Sequence, residues 1–135
     1  MVEIKIAYEG GLHCRLQHGP SGSEIVTDAP KDNNGKGEAF SPTDMVAGAL
    51  GACMLTIMGI VAQRKNIAIE GTTVKVTKEM NADPRRISRL TVTFQMPKGI
   101  PESERATLEC AALTCPVHKS LHPDIEIPVK FKYSE

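Results

Sequence analysis

The sequence has no tryptophan and only two tyrosines and three phenylalanines. That scarcity removes the stacking platforms a single-strand nucleic-acid binder uses, and it leaves the core to aliphatic residues and methionine. Charge of one sign is also missing as a feature: 16 basic residues face 16 acidic ones, with four histidines and no long run of either sign. No nucleic-acid partner is expected from such a balance. A glycine-rich phosphate loop, a Gly-x-Ser-x-Gly elbow and a paired-carboxylate signature are absent as well. The opening MVEIKIAYEGG is acidic and alternating where a signal peptide would be basic and then apolar, so a cytoplasmic location is expected.

What is present begins with cysteine. In a reducing cytosol, Cys14, Cys53, Cys110 and Cys115 are to be read as reactive, metal-binding or plain core residues before any structural disulfide. The chain of 135 residues fits a single domain, residues 1–135, large enough to fold without such staples.

Residues 2–8, 12–18 and 23–28 alternate apolar and polar around Gly10-Gly11 and predict an antiparallel meander. Residues 29–40 concentrate Pro, Asn, Gly and charge, the composition of an exposed loop. Ser41-Pro42-Thr43-Asp44 then supplies a capping hydroxyl, proline at the first helical position and an acid near the positive helix end, so a helix from Pro42 to about Asn66 is expected. From Met45 to Ala62 no residue is charged, which meets the nominal length of a membrane span. Gly48, Gly51, Gly59 and four alanines inside that stretch, and amphipathic strands on both sides, favour a core helix buried all round instead. So complete a burial in so short a chain implies a second subunit, and a homodimer is expected, without a membrane.

Residues 68–80 and 87–97 read as a hairpin around Asn81-Ala82-Asp83-Pro84. Pro101 opens a second helix to about Thr114, Cys115-Pro116 starts a third, and 124–132 is a last strand in which Pro128 suits an edge or a bulge. Strands before and after helices without regular alternation give an α+β fold.

Cys115, as the N-cap of a helix, is expected to ionise more readily than a free thiol, helped by His118 one turn on. Cys53 lies among apolar helical neighbours, where cysteine usually serves as a small hydrophobe and where burial raises a thiol pKa. Cys14 and Cys110 read as structural or spare. A zinc alternative is also legible, with Cys115, His118 and His122 on one helical face and His13 or Cys14 as a fourth ligand. Against it, no second ligand pair has structural-site spacing, and His122-Pro123 is expected to end the helix. No metal and no cofactor are therefore expected.

Two segments carry a further signal: Ser41-Pro-Thr-Asp-Met-Val-Ala-Gly-Ala-Leu-Gly-Ala-Cys53 and Thr114-Cys-Pro-Val-His-Lys-Ser-Leu121. Together they resemble the OsmC/Ohr family of organic hydroperoxide reductases, whose order of elements matches along nearly the whole chain. The resemblance implies an intertwined homodimer with the long helices covered by sheets and the sites at the interface. It also implies that Cys53 attacks a small organic hydroperoxide, that Cys115 resolves the sulfenic acid as a disulfide, and that a dithiol reductant, such as a lipoyl group, restores both thiols. Where the well-characterised peroxidases have a glutamate ten residues before the reactive cysteine, paired with a loop arginine, this chain has Thr43, and Arg15 is the only arginine N-terminal to Cys53. Asp44, His118 and Arg15 stand as supporting candidates, and the activator is left open. That departure motivates an alternative: a non-catalytic protein binding a lipophilic small molecule at the dimer interface.

Overall fold

The computed structural model describes residues 1–134 and contains six strands and three α-helices among them. The order is β1 (Ile4–Gly10), β2 (His13–His18), β3 (Glu24–Asp28), α1 (Pro42–Arg64), β4 (Thr73–Ala82), β5 (Arg85–Met96), α2 (Glu102–Leu113), α3 (Pro116–Ser120) and β6 (Val129–Tyr133). The architecture is α+β, as the sequence predicts. The chain divides into two compact units, residues 1–46 and 47–135.

In the first unit β1, β2 and β3 form the expected antiparallel meander. Gly10, Gly11 and Leu12 all take positive φ at the first turn, which the two glycines accept without steric cost. The register places Ile4, Ile6 and Tyr8 opposite His18, Leu16 and Cys14, with Leu16 opposite Ile25, so one sheet face is apolar. Much of it is open: Ile4, Ile6, Tyr8 and Ile25 are 51%, 60%, 66% and 52% exposed. The 29–40 loop holds a short 3-10 turn at Lys31–Asn33 and is tied down where the Glu38 N–H donates to buried Asp28.

In the second unit β4 and β5 pair antiparallel and β6 adds parallel to β5. Alternation buries Leu90, Val92, Phe94 and Met96 on one face of β5, and Phe94 stacks on Phe131 of β6 at 4.7 Å between ring centroids. The helix α1 lays Leu50, Met54, Met58 and Ala62 into this core. At Gly51 it meets β4 closely, because a Cβ there would lie 3.1 Å from Val76 and 3.2 Å from Val74. Two sequence expectations need correction here. β4 begins at Thr73 and not at Ala68, because Gly71 takes φ +90° in a turn closed by the Thr72 N–H on the Ile69 carbonyl. β6 is confined to Val129–Tyr133, with Pro128 just before this edge strand.

The cover of α1 within one chain is one-sided. Within one chain it is not buried all round: Ala47, Leu50, Gly51, Met54, Met58 and Ala62 are covered, while Gly48, Ala49, Ala52, Thr56 and Ile60 are exposed. The β4–β5–β6 sheet lies against one stripe of this helix, and the residues of the opposite stripe are exposed. By length and apolarity alone α1 is also long enough to cross a membrane.

Candidate thiol site

The first turn of α1 is set by a reciprocal cap. The Ser41 hydroxyl accepts from the Asp44 N–H at 3.0 Å, and the Asp44 carboxylate accepts from the Ser41 N–H at 3.0 Å. Asp44 therefore has a structural duty at the helix start, and Thr43, where the peroxidase pattern has glutamate, lies within hydrogen-bonding distance of the Ser41 hydroxyl at 3.3 Å. Further along, the run of small residues brings Cys53 to a half-buried position on α1.

Cys115 is fully buried and caps α3 as expected, with the His118 N–H donating to its sulfur at 3.2 Å. The Cys53 side chain lies close enough to act on this thiol electrostatically. The structure thus joins the two cysteines that lie far apart in sequence. It overturns the expected acidity of Cys115, however. Burial pushes this thiol above its ordinary value, the His118 N–H pulls it down by less, the neighbouring Cys53 side chain raises it further, and the Val117 N–H adds a smaller opposing pull. The contact His118 makes with this sulfur is through its main-chain N–H.

The remaining candidates lie elsewhere. Arg15, on β2, is held by Glu9 at 2.9 Å and Glu24 at 3.6 Å, which raise its pKa and commit its charge to its own sheet. Cys14 is half-buried on β2 and Cys110 exposed on α2. The zinc constellation does not form: α3 stops at Ser120, so exposed His122 leaves the helical face and sits instead beside Arg86, 3.3 Å away, and the Asp124 N–H. No group of three potential metal ligands gathers among the described residues.

Sequence reading missed one cluster in the second unit. The Tyr133 hydroxyl donates to Glu109 at 2.7 Å while Arg105 lies over the Tyr133 ring at 4.1 Å, fastening α2 to β6. Burial first and then Glu109 raise the Tyr133 pKa well above the usual phenol range. The separation of these residues in sequence offers no motif from which to read the contact. In the first unit, Ile4, Leu16, Ile25 and Met45 line an open, mainly apolar groove of about 420 Å³.

The family model for OsmC-like proteins matches residues 35–130. Among solved structures, a Psychrobacter arcticus protein described as osmotic stress induced and acting in a detoxification response is 48% identical over 97% of this chain and 96% of its own, with a TM-score of 0.92. An organic hydroperoxide resistance protein OsmC from Legionella pneumophila is 19% identical over 98% and 96% of the two chains, at a TM-score of 0.73. One from Elizabethkingia anophelis, with thiocyanate bound, is 17% identical over 99% and 96%, at 0.77. The latter two establish likeness of fold. No curated protein matches the chain significantly.

Proposed function

Because the chain belongs to the OsmC-like protein family, we propose that it is a thiol-dependent peroxidase that reduces organic hydroperoxides, with Cys53 attacking and Cys115 resolving. The observation that carries this reading is the nearness of the two cysteine side chains, close enough for Cys53 to raise the Cys115 thiol. Cys115 is sealed from solvent and its proton is held tightly, whereas Cys53 keeps some surface, so the attacking role falls to Cys53. The Cys53 thiolate attacks the outer peroxide oxygen, the O–O bond breaks, and the alcohol leaves with a proton. Cys115 then attacks the sulfenic sulfur, water departs, and a Cys53–Cys115 disulfide remains. A dithiol of the lipoyl type, in a reducing cytoplasm, supplies the two electrons that reopen it.

The working form in this reading is a homodimer. The open apolar face at Ile4, Ile6, Tyr8 and Ile25 and the bare stripe of α1 at Ala49, Ala52 and Ile60 are surfaces of the kind that mark association. A second copy of the chain, related by a twofold axis, covers them without any other partner.

Turnover tests the reading directly. With dihydrolipoamide as reductant, the protein should consume cumene hydroperoxide continuously and Cys53→Ser should fall to the uncatalysed background; equal rates for the two proteins would reject it. The 420 Å³ groove favours one competing reading, a binding site for a lipophilic small molecule. Native mass spectrometry with an added fatty acid separates the two, since a stable adduct without peroxide turnover fits only the binder.

A further inference from the structure

The two sulfurs of the pair differ in access within one chain. Cys115 has no exposed surface within its own chain, closed over in the core that also holds Leu108 and Ala112 of α2. A partner subunit can only cover more, so this sulfur stays hidden in monomer and dimer alike. Cys53 is the half-buried member. The Cys115 sulfur, though hidden, is met by the His118 N–H at 3.2 Å, a donor already in place for a negative charge arriving there.

We infer that the reducing dithiol attacks the Cys53 sulfur of the disulfide and expels Cys115 as the leaving group, so that the mixed disulfide always forms on Cys53. This rests on the peroxidase reading above. In the first step one thiolate of the reductant bonds to the Cys53 sulfur, the Cys53–Cys115 bond breaks, and its electron pair leaves on Cys115. That sulfur receives the His118 hydrogen bond and then the proton the reductant gave up. In the second step the other thiol of the reductant attacks its own bound sulfur, Cys53 leaves as thiolate, and the reductant departs as a cyclic disulfide. The raised proton affinity of Cys115 makes it the slower leaving group, so the direction rests on the access of the Cys53 sulfur and on the His118 N–H that receives the departing charge; once protonated, Cys115 is a poor nucleophile for returning to the mixed disulfide. His118 is a positioning residue in this step, acting through its main chain.

The test begins from a disulfide made with diamide, which requires no peroxide chemistry. The oxidised protein is exposed briefly to 2-mercaptoethanol, quenched in acid, alkylated with N-ethylmaleimide and mapped by peptide mass spectrometry. The mercaptoethanol adduct should lie on Cys53 and the maleimide on Cys115, with the Cys53 adduct in excess by about tenfold or more. An adduct on Cys115, or an even division, overturns the inference. As a second reading, Ellman's reagent should label Cys53 in Cys115→Ser about tenfold or more faster than Cys115 in Cys53→Ser, judged on the mapped peptides. Equal labelling also overturns it. A disulfide formed by diamide but not by cumene hydroperoxide would remove the peroxidase reading while leaving the direction of attack measured.

Discussion

At Cys115 two influences of opposite sign act on one sulfur. The N-cap position and the Cys-Pro start of α3 are visible in the sequence, and the structure supplies the expected N–H at 3.2 Å. Burial outweighs it, because the ionic form loses its water while gaining a limited number of donors. Complete burial depends on elements distant in sequence, which is why local spacing pointed to the wrong direction of shift. The sign has a consequence for stability. Below the ordinary thiol value of 9.0 both folded and unfolded chains hold the proton and the contribution is whole. As pH rises through 9.0 the unfolded chain releases its proton first, and stability should be lost until the folded thiol also ionises. Urea midpoints measured across that range should fall for the reduced protein and fall less steeply for Cys115→Ser. Parallel curves would remove Cys115 as the cause. The stability difference between Tyr133→Phe and the parent, which includes the lost Glu109 hydrogen bond, should begin to vary with pH only as pH approaches and passes 10.0, where the unfolded tyrosine ionises.

The helix α1 was the most legible element. Ser41-Pro42-Thr43-Asp44 announced its start, and the capping box follows from a hydroxyl and a carboxylate three positions apart. The helix ends at Arg64, two residues before the expected Asn66, and the turn that closes it has Asn66 at φ 55°, with the Ile67 N–H reaching back to the Ala62 carbonyl at 2.9 Å and the Asn66 N–H meeting Gln63 at 3.3 Å, a Schellman closure with asparagine where glycine is commoner. Ser41→Ala should cost about 1 kcal/mol, read from the urea midpoint. Gly51 has a role that spacing does not reveal, because its partners Val74 and Val76 come from β4. Gly51→Leu should destabilise the fold by about 3 kcal/mol through overpacking, and a neutral effect would mean that α1 and β4 stand farther apart. The later strands were read less well. Turn chemistry at Gly71 shortened β4, and the parallel pairing of β6 with β5 leaves no local trace, since alternation looks the same in either direction.

For the whole molecule, the sequence told of a helix with more apolar surface than one short chain can cover, and the structure locates the surplus on specific residues. One stripe of α1 faces the β4–β5–β6 core and the other is bare, and the apolar face of the first sheet is bare as well. The family resemblance made the cysteine pair nameable, but their juxtaposition is a property of the fold: the middle of α1 and the cap of α3 meet across the second unit. Light scattering should return the mass of two chains at micromolar concentration, and Ile6→Lys combined with Ile25→Lys should shift the population toward one chain. A monomeric parent protein would contradict the assembly proposed above.

The central claim, that Cys53 and Cys115 form one redox unit, is tested most directly by adding one equivalent of cumene hydroperoxide to the reduced protein and mapping its thiols by non-reducing mass spectrometry. The product should be lighter by two hydrogens, with Cys53 joined to Cys115 and both Cys14 and Cys110 free. Intact thiols, or a disulfide built from any other pair, would contradict it.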